Sequence, residues 1–232
     1  MPTSNPATFK KLISNGHGFS LIEIMVALLL VALIFVAIPT GDNSERHRAL
    51  KGAVDDLDRT VRFASNESVL RNTVVRIRLM LDKNPIEYTV EYGPAGNLPL
   101  PDMPEKTSLS LDEIKDRKDK SANLDREFTK VAEFEDIKRE LDDDVTILAV
   151  GSTIQKDLIR KDAANIYFYP TGEKDGALIF FSTVEEIAYL EISPFLPKTN
   201  ANFEVIKTTG VAKVEDIIQT RMDEVFKEWI SK

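Results

Sequence analysis

The chain contains no cysteine and only two histidines, His17 and His47. Without thiols there is no disulfide framework, thiolate metal site or cysteine nucleophile. Two histidines are too few for a multi-histidine metal centre. Basic residues are in deficit as well: Lys plus Arg is 30 against 38 for Asp plus Glu, a net charge of −8. Phosphate contacts need a basic surface, so nucleic acid is not expected as a partner. The sequence motifs of enzyme chemistry are also missing, with no G-x-S-x-G, G-x-G-x-x-G, P-loop or H-E-x-x-H. No catalysis and no cofactor are therefore expected. Asp142-Asp143-Asp144 has the chemistry to ligate calcium, but without an EF-hand frame it reads as a solvated face. His47 lies between two arginines and reads as a solvated side chain.

What the chain does have is a long apolar run near its N-terminus. Phe19 to Ile38 carries one charge, Glu23, and no proline or glycine. Twenty residues at about 1.5 Å each span roughly 30 Å, the thickness of a bilayer's hydrocarbon core. Met1 to Gly18 precedes it as a polar leader with Lys10, Lys11 and no acid. A secretory signal peptide also begins in this way. Three features weigh against one: the run is long, no small-x-small cleavage site follows it, and Glu23 sits inside it. The positive-inside count is indecisive, because Arg46, Arg48 and Lys51 follow the run. A carboxylate costs about 2.5–3.5 kcal/mol near the bilayer centre and less near a helix end. Glu23 either reaches the headgroups or takes a cationic partner from another subunit. A free amine at residue 19, made by cutting after Gly18, would be such a cation.

Gly18-Phe19-Ser20-Leu21-Ile22-Glu23 before an apolar helix resembles the type IV prepilin processing signal, G-F-[ST]-L-[IV]-E. The resemblance implies that an inner-membrane prepilin peptidase cuts between Gly18 and Phe19 and N-methylates Phe19. It also implies that Glu23 neutralises the N-terminal amine of a neighbouring subunit during assembly. Two charges that are costly in lipid are less so as a pair. Relatives of this kind are pilins of type IV pili or pseudopilins of type II secretion systems.

After Pro39-Thr40-Gly41, Leu50, Val54, Leu57, Val61, Ala64 and Ser68 continue a helical stripe, with charges on the other side. One long N-terminal helix over about 19–72 is expected, its second half packed on a head. From Thr73 the period becomes two: Val75, Ile77 and Leu79 alternate with Arg76 and Arg78. Glu87 to Tyr92 then completes a β-hairpin. Pro101 to Asp144 holds 15 acidic and 9 basic residues in 44, so it reads as a solvated insertion. Leu124, Phe128, Val131, Phe134 and Leu141 keep helical spacing, so either a helix docks there or the stretch is a surface loop. Ser110-Leu111-Asp112-Glu113 has capping-box spacing. Val145–Val150, Asn165–Tyr169, Ala177–Ser182, Ile187–Ile192 and Phe203–Ile206 read as short strands. Val214, Ile217, Ile218, Met222, Val225 and Trp229 form an amphipathic helix over about 213–232, packed on the head or offered to a partner.

The fold class is thus α+β: a long N-terminal helix, membrane-spanning in its first half, on an antiparallel sheet head, pilin-like, with a C-terminal helix. The divisions are a leader at 1–18, a transmembrane half-helix at 19–40 and a periplasmic head at 41–232, with an insertion at about 97–144. Val61 to Asn72 is similar to the A-R-S-E-A-x-x-R-N stretch of the GspH/FimT group, leading into Val75-Arg76-Ile77. Phe168 to Gly172 resembles that group's F-x-P-x-G turn, and Val205 to Val211 its terminal strand. The resemblance implies a minor pseudopilin of type II secretion or, alternatively, a minor pilin of a type IV pilus acting in assembly or adhesion. Expected partners are the prepilin peptidase, sister subunits, the inner-membrane assembly platform and membrane lipid. The expected location is the inner membrane, single-pass, with the head in the periplasm. Some FimT-like relatives assist DNA uptake with basic surfaces. From Asp42 onward this chain has 28 basic and 37 acidic residues, which does not suit that role.

Overall fold

A computed structural model describes residues 20–37, 42–94, 122–123, 125–134, 139–153, 157–206 and 214–231. The chain divides into two units, Met1–Gly41 and Asp42–Lys232. The first contains α1 (Leu21–Ala37), apolar on every side apart from Glu23. The second begins with α2 (Asp42–Arg71). The expected helix over 19–72 is therefore described as two helices, and Pro39-Thr40-Gly41 lies outside the described residues.

In the second unit, α2 is followed by the hairpin β1 (Val75–Met80) and β2 (Glu87–Tyr92), in antiparallel register with Ile77 opposite Val90. Then come β3 (Thr129–Lys130), a 3-10 turn at Ala132–Phe134, and β4 (Arg139–Glu140). Next are β5 (Thr146–Ser152), β6 (Ala163–Phe168), β7 (Ala177–Ser182), β8 (Glu186–Ile192) and β9 (Asn200–Val205). The last element is α3 (Val214–Ile230). One sheet runs β3-β2-β1-β6, with β4 also paired to β2, and the other runs β5-β7-β8-β9. All the pairings are antiparallel.

The core forms where α2 meets both sheets. Leu50, Val54, Leu57, Val61 and Ala64 face Ile77, Leu79 and Val90 of the first sheet and Ile179, Phe181 and Leu190 of the second. These are the positions that the helical and period-two spacings single out, because a 3.6 stripe and a 2.0 stripe each put their apolar residues on one side. A register shift between Ile147 and Ala149 turns Val150 inward and Ala149 outward. Strand β7 is buried along its whole length, as its unbroken apolar run Ala177-Leu178-Ile179-Phe180-Phe181 requires.

The outer side of β7 is covered by α3. Ile218, Met222, Val225 and Phe226 pack on Ala149, Leu178, Phe180 and Ile187. Of the two expectations for this helix, packing on the head is the one the structure shows. The approach is close at Gly151, where a Cβ would stand 2.4 Å from the Phe226 ring.

The insertion differs from its sequence reading. Residues 95–121, with Ser110 to Glu113, lie outside the described residues, as does Leu124. The end of the stretch is not a solvated loop. Val131, Phe134 and Leu141 enter the main core, while β3 and β4 extend the edge of β2. Nor does Phe128 share a helical face with them: it lies on the outer side of the first sheet with Val74 and Tyr167. Docking of Val131, Phe134 and Leu141 on the head is thus the expectation that holds, but short strands and a 3-10 turn present them rather than a helix.

Candidate assembly site at the N-terminal helix

Gly18 and Phe19 lie outside the described residues. Of the expected processing and assembly residues, Glu23 is the one placed: it is exposed in the first turn of α1. Helix α1 starts where the chain supplies a cap. Ser20 Oγ accepts a hydrogen bond from Glu23 N–H at 3.2 Å, and Ser20 O accepts from Ile24 N–H at 3.2 Å. Beyond it, Leu21, Ile22, Met25, Leu28, Leu29 and Leu33 are each more than half exposed. A helix that is apolar all round needs a covering of lipid or protein. The described helix has 17 residues, about 26 Å at 1.5 Å per residue. Among the described residues, no helix is long and apolar enough to cross a membrane.

The residues that carry the GspH/FimT resemblance sit at the far end of α2, and the structure gives them work in folding. Glu67 accepts from Arg71 Nε at 2.7 Å, one helical turn on, and from Tyr92 OH at 2.5 Å. The Arg71 guanidinium lies over the Tyr92 ring at 4.9 Å. Asn72 has φ 51°, its N–H bonds Val69 O at 3.3 Å, and Thr73 N–H bonds Ser68 O at 3.2 Å. Those two bonds form a Schellman motif with asparagine in the left-handed position. Ser68 also donates to Tyr169 O at 3.2 Å. That bond holds the Tyr169-Pro170-Thr171-Gly172 turn, closed by Gly172 N–H to Tyr169 O at 3.0 Å. Gly172 takes φ 89°, which a side chain would disfavour. Helix end, the end of β2 and turn thus form one joint of the head.

Hydrogen bonds from Tyr92 and Arg71 hold the Glu67 carboxyl below its ordinary 4.5. Burial and the Glu67 bond push the Tyr92 hydroxyl up to about 12. A depressed carboxylate adds stability above its ordinary value and loses it as pH falls through the folded value. The contribution is small because Arg71 is well exposed to screening solvent. Glu67→Gln is therefore expected to melt slightly below wild type at neutral pH. The gap should close in acid, once the pH has fallen through the lowered folded value. Thermal melts at the two pH values check this, and a gap that stays constant counts against the pairing.

Two charged features were not legible in sequence. Arg76 is 1% exposed on the outer side of the first sheet. It bonds Glu91 at 2.7 Å and Asp125 at 2.5 Å and stacks on Phe128 at 3.8 Å. Arg78 shares Asp125 at 3.1 Å. This cluster fastens the end of the insertion to the sheet. The alternation in β1 puts Arg76 on that side, but no sequence signal says that Asp125 and Phe128 cover it. His47 is not simply solvated: its Nδ1 lies 2.9 Å from Glu186 Oε2 in β8. Their separation of 139 residues left no local trace. Asp142 makes a turn, its carboxylate accepting from Asp144 N–H at 3.1 Å. Among the described residues, no group of three or more His, Cys, Asp or Glu side chains is placed to hold a metal.

The family model of the prokaryotic N-terminal methylation motif matches residues 13–39. The match supports a type IV pilin-like or pseudopilin protein, anchored at a membrane, processed by a prepilin peptidase and assembled with other pilins. It does not assign a specific role among them. No curated protein and no solved structure matches the chain.

Proposed function

We propose that the chain is a minor pseudopilin, a non-enzymatic structural subunit of a type II secretion pseudopilus. In this reading, it is cut between Gly18 and Phe19, methylated on Phe19 and assembled through its N-terminal helix. The observation that carries the reading is the methylation motif over 13–39, running into a helix whose apolar surface is exposed around Glu23. The joint between the end of α2, which carries the GspH/FimT-like stretch, the end of β2 and the Phe168 to Gly172 turn supports the GspH-like branch. Glu23 argues against the largest tip subunit of the secretion system, which usually lacks that glutamate. The inner membrane holds α1, the head is periplasmic, and the assembly platform and sister subunits are its partners.

A minor pilin of a type IV pilus would use the same motif and the same pairing of charges. A deletion strain separates the two. Loss of exoprotein export with intact twitching is the expected result. Loss of twitching or adhesion with normal export would move the chain to the pilus.

A further inference from the structure

Large apolar side chains are exposed at both ends of strand β8. Where β7 turns into β8, Val184 is 65% exposed, and so is Val205, which stands opposite Glu186 in β9. This is the end at which α2 begins: His47 bonds Glu186, and its ring lies 6.1 Å from that of Phe203. Where β8 leads into β9, Phe195 is 79% and Leu196 56% exposed. That loop lies farther along α2, where the Thr199 hydroxyl donates to Asp58. The seven residues of β8 hold the two ends about 23 Å apart. Apolar side chains grouped on a surface mark contact sites.

The Phe195-Leu196 loop is braced, with Pro194 and Pro197 on either side. Lys174 is buried; its Nζ donates to Leu196 O at 2.6 Å and its backbone N–H to Pro194 O at 3.2 Å. An interior ammonium thus fixes the loop backbone while both apolar side chains stand in solvent. A loop already ordered loses little entropy on docking. Exposed Lys198 follows this loop, and exposed Glu185 follows Val184 at the other end. The two ends therefore complement each other rather than themselves. Chains anchored in one membrane share a polarity, and pairing like ends face to face would reverse one of them. We propose that the two ends of β8 are the halves of a head-to-tail contact between copies of this chain. The Phe195-Leu196 loop of one copy seats on Val184 and Val205 of the next, with Lys198 facing Glu185. Such a contact does not close on itself and extends in one direction. It stands on the head alone and adds a second contact to the charge pair at Glu23.

The chain has no cysteine, so an introduced thiol reports a single contact. Two full-length forms, Leu196→Cys and Val184→Cys, are produced together in membranes and treated with a short bismaleimide. A linked dimer is expected from the mixture and none from either form alone. A chain with both substitutions should give a ladder of higher multimers. Phe195→Asp, added to the Leu196→Cys form, should lower the dimer yield about tenfold, as expected for one aromatic side chain no longer buried. The melting temperature of that chain in detergent should not change, because Phe195 is exposed. Lys198→Glu on the same form should lower the yield less, and Glu185→Lys on the Val184→Cys form should restore it. A dimer from Leu196→Cys alone overturns the head-to-tail arrangement. No dimer from the mixture, or a yield that Phe195→Asp leaves unchanged, overturns the contact itself. Linkage of Leu196→Cys to a different protein and not to Val184→Cys overturns the second copy as partner. Linked chains that enter no filament keep the contact and count against the subunit reading instead.

Discussion

Glu23→Ala will leave cleavage after Gly18 intact and lower incorporation into the assembly by about tenfold or more. The expectation follows from what the substitution strands. Removing one member of a charge pair shielded from water costs about 3–5 kcal/mol, because the partner stays behind uncompensated. At 1.4 kcal/mol per tenfold, even half of that cost exceeds one decade. Cleavage is expected to be spared because the proposed scissile bond, between Gly18 and Phe19, lies outside the substituted position. The variant chain must be the mature length by intact mass, and its share in the filament fraction is then compared with wild type. Equal shares would remove the pairing role of Glu23.

Arg76→Ala is expected to be the most damaging single change in the head. The guanidinium is enclosed between Phe128 and the sheet and serves Glu91 and Asp125 together. Truncation leaves the Glu91 carboxylate, itself nearly buried, without its cation, and opens a gap under Phe128. Breaking such a pair costs about 3–5 kcal/mol. For a unit of this size, a loss of that order lowers the melting temperature by about 10 °C. Arg76→Lys should recover part of the loss, since an ammonium keeps the charge but not the planar fork or the stacking. A thermal melt of the full chain in detergent measures both. A melting point within a degree or two of wild type for Arg76→Ala would show that the cluster does not anchor the insertion.

These two residues also mark what the sequence discloses and what it hides. The methylation motif over 13–39 was legible because its signal is local: a glycine, an aromatic and a glutamate at fixed spacing before an apolar helix. The stripes of α2 and α3 and the alternation in β1 were legible for the same reason, since one-sided burial leaves a period in the chain. The burial of Arg76 was not legible. It depends on Asp125, 49 residues away, and on Phe128, both inside a stretch whose charge density reads as solvated. The start of β9 was missed because Asn200, Ala201 and Asn202 lie exposed on an edge strand, where no alternation is selected. The strands β3 and β4 have two residues each, below the length at which a pattern exists. The spacing of a capping box recurs at Ser20 within the processing motif, where Ser20 Oγ accepts from Glu23 N–H, while the one at Ser110 lies outside the described residues.

The central claim is that the apolar helix stays with the protein and that only the polar leader is lost. Intact mass of the chain extracted from membranes tests it most directly. The mature protein is expected to begin at Phe19 with one added methyl group. A chain that begins beyond Ala37, released from the membrane without its helix, would contradict it.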